Sequence, residues 1–360
     1  MSESSSYALI DLDDLAACAR VDPGGMMRLV VDFPRQCREG WTIGRQTSLE
    51  LRAPRSVVIT GMGGSAVGGA LLAGLLEDRT SVGLAINRDY TLPEFVGKDT
   101  LVVAASYSGE TEETLSAFRL AAERGAQVVC VTSGGALAQS AAQLDAQVIA
   151  IPGGQPPRAS LAYLFFSLLA VAERAGLVPN QDRDFASAVQ TLEALRERLR
   201  PDVPSANNPA KQLASRLAGR LPFFYGTTPW LAVAAYRWRT QCHENAKVLA
   251  ASNALPEMDH NEICGWADQE GPASRATPVF LRSHLESERM RERVQATIDI
   301  VSAHTHAEQI WGEGESPLAQ ALSVVYFGDF ATVYLAFLLG RDPMEIKAID
   351  SLKRMLSGKK

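Results

Sequence analysis

Two loops rich in glycine and hydroxyl residues, each closing an apolar run, hold the groups best suited to chemistry. The first reads Ser56-Val-Val-Ile-Thr-Gly61-Met-Gly63-Gly64-Ser65, and the second reads Leu101-Val-Val-Ala-Ala-Ser106-Tyr-Ser108-Gly109-Glu110-Thr111. Each pattern predicts a buried strand, a tight turn and the start of a helix. A helix N-terminus presents unpaired N–H groups and the positive end of a dipole, so an anion settles there readily. The hydroxyls of Ser65, Ser106, Ser108 and Thr111 add donors without bulk. Because the second loop has no lysine or arginine, the expected ligand is a phosphate held by neutral donors.

Other readings of these loops remain open at this point. Gly61-x-Gly63-x-x-Ala66, with Asp89 near the end of the next strand, is a formal match to a dinucleotide fingerprint. The second hydroxyl loop counts against it, since that loop fills the crevice a dinucleotide would cross. No Gly-Lys-Ser/Thr follows the glycines, which excludes a Walker loop. The glycines can also serve close helix–strand packing alone, which leaves the clustered hydroxyls unexplained.

The elements that must position these loops follow an alternating pattern. Strands are expected at Ser56–Gly61, Val82–Asn87, Leu101–Ser106, Gln127–Thr132 and Ala146–Ile151, with helices between them such as Thr111–Glu123. Short βα repeats imply an α/β fold, a parallel sheet covered by helices. A flavodoxin-like order, 2-1-3-4-5, brings the loops after the first and third strands together at the switch point. A long helical region from Ser160 to about Arg200 precedes Pro201-Asp-Val-Pro204-Ser-Ala-Asn-Asn-Pro209, the expected linker. A second α/β pattern then runs through Leu221–Gly226, Pro278–Leu281 and Ala307–Trp311 to a helix at Phe330–Leu339. The expected division is an N-terminal helical segment, 1–50, and two α/β units, 51–200 and 201–360.

Composition narrows the function classes. The chain has 360 residues, 46% of them hydrophobic, which fits two domains of an ordinary globular protein. No uncharged apolar run of about eighteen residues stands out as a membrane span, so no membrane partner is expected. The start, Met1-Ser-Glu-Ser-Ser-Ser-Tyr7, lacks a basic and apolar leader, which suggests a cytoplasmic protein. Cys18, Cys37, Cys130, Cys242 and Cys264 form no C-x-x-C pair, so reduced, mostly structural cysteines are expected. A net charge of −6 argues against nucleic acid as a partner.

The two loops together resemble the sugar isomerase (SIS) domain. Thr132-Ser-Gly-Gly135, Pro156-Pro-Arg158-Ala-Ser-Leu-Ala-Tyr163, His243-Glu244-Asn-Ala-Lys247, Pro256-Glu-Met-Asp-His260-Asn-Glu262, Asp342-Pro343 and Ile349-Asp-Ser-Leu-Lys353 then narrow the resemblance to the bifunctional phosphoglucose/phosphomannose isomerases. That resemblance implies two SIS domains, each a five-stranded parallel sheet flanked by helices. It also implies a homodimer with active sites near domain and subunit interfaces. The implied activity interconverts glucose 6-phosphate or mannose 6-phosphate with fructose 6-phosphate through an enediolate, without metal or cofactor. Residue by residue, the family's base falls on Glu244, its ring-opening histidine on His260, its charge-stabilising arginine on Arg158 and a C-terminal lysine on Lys353. The phosphate site falls on Gly64, Ser65, Ser106, Ser108 and Thr111. Glu110 departs from the expected asparagine, and a carboxylate beside a dianion costs affinity unless it points away.

The chemistry explains these residue types. Ring opening needs a group that moves a proton near neutrality, as imidazole does. Proton transfer between C2 and C1 needs a general base, and the enediolate needs a fixed cation such as a guanidinium. Competing readings are a non-catalytic phosphosugar-binding SIS protein of regulatory type, an SIS enzyme for another sugar, and a NAD-dependent enzyme. His304, His306 and Glu308 alternate in a way that suits a metal on one face of a strand.

Overall fold

The structure, a computed structural model, describes residues 9–267, 272–303 and 305–358. The first sheet contains β1 (Ser56–Thr60), β2 (Gly83–Asn87), β3 (Thr100–Ala105), β4 (Gln127–Thr132) and β5 (Gln147–Ala150). All pairings are parallel and the order is β2-β1-β3-β4-β5, as expected from the alternating pattern. Every residue of β3 is buried. This central strand is covered on both faces, which is why it reads as a continuous apolar run rather than an alternating one.

The second sheet contains β6 (Leu221–Gly226), β7 (Ala251–Ala254), β8 (Ala276–Arg282) and β9 (Glu308–Trp311), again all parallel, in the order β7-β6-β8-β9. It has four strands among the described residues, not the five the resemblance implies. After β9 the chain enters the 22-residue helix Pro317–Leu338 instead of adding a strand. β7 is absent from the expected strands, because Ala-Ser-Asn-Ala carries no β-branched or aromatic residue. Its backbone pairing with β6 overrides that weak propensity. The helical region expected from Ser160 to Arg200 is two helices, Leu161–Arg174 and Asp182–Leu199, with Gly176 and Pro179 between them.

The helix Pro317–Leu338 corrects the sequence reading on one point, since by length and composition it is apolar enough to cross a membrane. Its whole apolar window is buried inside the protein. Its one acidic residue, Asp329, pairs with Arg237. Around it a single hydrophobic cluster joins the two halves, taking Val57 and Leu101 from the first sheet, Leu71, Phe165, Leu231 and Leu322 from helices, and Phe224 from β6. Each such buried side chain contributes about 1.5–3 kcal/mol. The helices Gly63–Leu76 and Pro229–Gln241, which follow β1 and β6, pack directly on each other.

The N-terminal segment is helical, at Leu15–Val21, Met26–Val31 and Phe33–Gln46. The fully buried Lys211 ties it to the second half, donating to Leu12 O (2.9 Å), Asp13 Oδ1 (2.9 Å) and Pro201 O (2.8 Å). All five cysteines are free and only Cys264 is exposed. Burial pushes the Cys130 and Cys242 thiols up to about 12, so both act as packing groups.

Candidate active site

The loops after β1 and β3 meet at the carboxyl edge of the first sheet. Ser65 is buried in the first turn of its helix and its Oγ accepts from Tyr107 N (3.3 Å). In the second loop Ser106 Oγ lies 2.9 Å from Thr111 Oγ1 and accepts from Gly109 N (3.1 Å), while Ser108 Oγ accepts from Glu110 N (3.2 Å). Gly109 has φ +72°, and a Cβ there would stand 1.9 Å from Gly134 O. Only glycine makes that turn. A Cβ on Gly64 would stand 2.8 Å from Pro157 O, so the first loop presses on the backbone of the segment that carries Arg158. Tyr107 holds the same segment, its hydroxyl accepting from Gln155 N (3.2 Å).

Glu110 does point away from this crevice. Its Oε1 accepts from Ala136 N (2.8 Å) in the first turn of the helix Gly135–Gln143. A carboxylate at a helix N-terminus is favourably placed, and its departure from asparagine is used in capping the neighbouring helix.

Arg158 sits in a single helical turn, Pro157–Ala159, and is buried. Glu244 lies in a π-helical turn, Cys242–Ala246, appended to the helix Pro229–Gln241 and closed by Lys247, whose φ is +56° and whose N–H donates to Cys242 O. Such widened turns project a side chain that a regular helix would turn elsewhere, and they recur at functional sites. Arg158 Nη1 reaches Glu244 Oε2 at 3.3 Å. Its Nε donates to Asn245 Oδ1 (2.9 Å) and its Nη2 to Pro343 O (2.5 Å) and Met344 O (3.4 Å). The motifs around 158, 244 and 342 thus converge on one guanidinium. Burial draws Arg158 below its ordinary value, with Glu244 acting in the opposite direction.

Four residues that the sequence left without a role complete this cluster. Arg237 donates to Arg158 O (2.9 Å) and grips Asp329 through two bonds of 3.0 and 2.8 Å, and Gln241 donates to the same carboxylate at 2.9 Å. Lys247 Nζ donates to Asn245 O (3.2 Å) and Asp342 O. Burial, and then the charge of Arg158, lowers its ammonium below the ordinary value. The available signal was charge inside apolar helices, since Arg237 and Asp329 interrupt runs that are otherwise core.

His260 and Lys353 do not join this cluster within one chain. Glu244 precedes the amino end of β7 and His260 follows its carboxyl end, in the turn Glu257–His260. The four residues of β7 alone span about 13 Å. Lys353 lies on the helix Lys347–Ser357, where Ile349, Leu352, Met355 and Leu356 are also exposed. Among the described residues neither side chain bonds to Glu244 or Arg158. For the alternative metal reading, His304 lies outside the described residues. His306 precedes β9 and pairs with Glu308 at 3.2 Å, and no cluster of three or more metal-ligating side chains occurs among the described residues.

Paired parallel sheets with a hydroxyl crevice at the switch point of the first define the SIS class of proteins. The SIS domain family matches residues 50–173, and the family described as bacterial phospho-glucose isomerase C-terminal SIS domain matches 206–356. A bifunctional phosphoglucose/phosphomannose isomerase from Caldicellulosiruptor bescii is 38% identical, covering 92% of this chain and 99% of its own. One from Aquifex aeolicus is 36% identical, covering 85% and 92%. The crystal structure of a hypothetical protein from Thermus thermophilus shares the fold, with a TM-score of 0.74 at 18% identity over 96% of this chain and 93% of that one. The chain belongs to the bifunctional phosphoglucose/phosphomannose isomerase family.

Proposed function

We propose that this protein is a cytoplasmic aldose–ketose isomerase that interconverts glucose 6-phosphate, mannose 6-phosphate or both with fructose 6-phosphate. The observation that carries this reading is the Arg158–Glu244 contact of 3.3 Å beside the hydroxyl crevice. The phosphate is held by Gly64, Ser65, Ser106, Ser108 and Thr111. Glu244 takes the proton from C2 of the open-chain sugar and returns it to C1, and Arg158 faces the negative charge of the enediolate. A guanidinium in that place supplies the charge a metal would otherwise provide. Purified protein is expected to form fructose 6-phosphate from at least one of the two aldoses with EDTA present, and the ratio of the two rates sets the substrate preference. Failure to turn over either sugar while still binding it would replace this reading with the regulatory one.

The working unit in this reading is a homodimer. His260, which opens the sugar ring, and Lys353 bond to neither Glu244 nor Arg158 of their own chain, and this supports a site completed by a second copy. Two inactive homodimers, Glu244→Gln and His260→Ala, are therefore expected to regain activity when mixed and allowed to exchange subunits. Random pairing makes half of the molecules mixed, each with one intact site, so about a quarter of the wild-type rate should return, as closed two-fold symmetry dictates. No recovery under verified exchange would place both residues in one chain's site.

A further inference from the structure

The run 257–262 holds six side chains, and five of them are buried or bonded. Asn261 donates to Glu257 Oε1 (2.8 Å) and accepts from Glu262 N (2.6 Å). Met258 is packed in a second hydrophobic cluster with Tyr225, Leu255 and Trp266. Asp259 accepts from Arg293 Nη1 (3.1 Å) and Thr297 Oγ1 (2.9 Å) on the helix Glu288–Ser302. Glu262 accepts from Tyr225 OH on β6 (2.5 Å) and from Asn253 Nδ2 on β7 (2.8 Å). Trp266 Nε1 extends the chain of bonds by donating to Tyr225 OH at 2.8 Å. The sixth, His260, is exposed, and its imidazole makes no hydrogen bond or ion pair among the described residues.

We infer that Glu262 is a positioning residue for His260: its bonds to Tyr225 and Asn253 staple the turn to two strands and fix the direction in which the imidazole is presented. The inference rests on His260 acting in ring opening. The Glu262 carboxylate bonds to Tyr225 and Asn253 and not to the imidazole. It works at the carboxyl side of the turn, as Asp259 works at the other. Tyr225 is a dependable donor, because burial and then Glu262 push its phenol well above the ordinary value. A short polar chain across the ends of two strands is a costly thing to bury unless each member is satisfied, and here each is. Its consequence is local rigidity under a histidine that has no restraint of its own. A displacement of about 1 Å at a reacting group can cost about 10²-fold in rate.

The test compares Glu262→Ala, Glu262→Gln, Tyr225→Phe and His260→Ala as full-length chains, with glucose 6-phosphate as substrate. In Glu262→Ala, kcat is expected to fall roughly tenfold to a hundredfold. KM should stay within about twofold, because the phosphate loops are untouched. Glu262→Gln should regain most of kcat, since its amide oxygen still accepts from Tyr225, and Tyr225→Phe should lie between the two. A merely structural role would instead move KM and the melting temperature with kcat. An unimpaired Glu262→Ala chain beside an inactive His260→Ala chain overturns the positioning role and leaves the isomerase reading intact. An active His260→Ala chain overturns both the role of His260 and the inference built on it. Should Glu262→Ala fail to fold, Tyr225→Phe decides on the same readouts.

Discussion

Glu244→Gln is expected to lower kcat for each aldose the protein turns over by about 10²–10⁴-fold, the usual contribution of a positioned general base. KM should change by less than about threefold, because loss of a group used only in the transition state leaves ground-state binding intact. Glutamine keeps the shape of the side chain and an oxygen that can accept from Arg158 Nη1, now at 3.3 Å from Glu244 Oε2. Arg158 also retains Asn245, Pro343 and Met344 as acceptors, so the fold survives the change. The measurement is a coupled assay in each direction, together with uptake of solvent deuterium at C2. A variant that keeps more than about a tenth of wild-type kcat would remove Glu244 from the base role, since that is less than the weakest general-base effect.

The first half of the fold was legible because its central strands are mostly buried, with β3 buried at every position. β1, β3 and β4 are short apolar runs bounded by glycine and hydroxyl turns, and the expected boundaries fall within one or two residues of the observed ones. The second half was harder for a physical reason. β7 lies at the sheet edge with every residue half-buried, so no run of apolar residues announces it. The helix Pro317–Leu338 is buried all round, which erases the periodicity that marks an amphipathic helix.

The site was legible as residue types and not as a network. The hydroxyls of Ser65, Ser106 and Thr111 could be placed on loops from local pattern alone. The meeting of Arg158 with Glu244 and Pro343 joins segments 86 and 185 residues apart, and local pattern holds no information at that range. Asn245 shows the limit most clearly. It reads as a neutral residue beside a glutamate, yet it bonds Arg158 on one side and Thr332 on the other. The separation of His260 from Glu244 was equally invisible, since both lie in one stretch of the chain and only the direction of β7 sets them apart.

Arg158→Lys tests whether the guanidinium is needed for its charge or for its fork. Lysine keeps a positive charge but replaces a planar set of donors with one compact ammonium. Arg158 bonds to four acceptors at once, from Glu244, Asn245, Pro343 and Met344, and its backbone carbonyl is held by Arg237. An ammonium on a shorter reach leaves at least one of the buried acceptors unpaired, at about 1–3 kcal/mol each. Arg158→Met goes further and leaves Glu244 without its cation, a smaller loss than for a fully buried pair because the Glu244 side chain is 28% exposed and water can solvate the carboxylate. Catalysis should suffer in both, with kcat for Arg158→Lys down about 10²–10³-fold, as when a fixed donor to a developing oxyanion is removed. Denaturant unfolding and steady-state rates measured on the same preparations separate the two effects. If Arg158→Lys unfolds at the wild-type midpoint yet loses its rate, the fork serves the enediolate more than the fold. If both are preserved, charge alone suffices, and the converging carbonyls of Pro343 and Met344 have no part in aiming it.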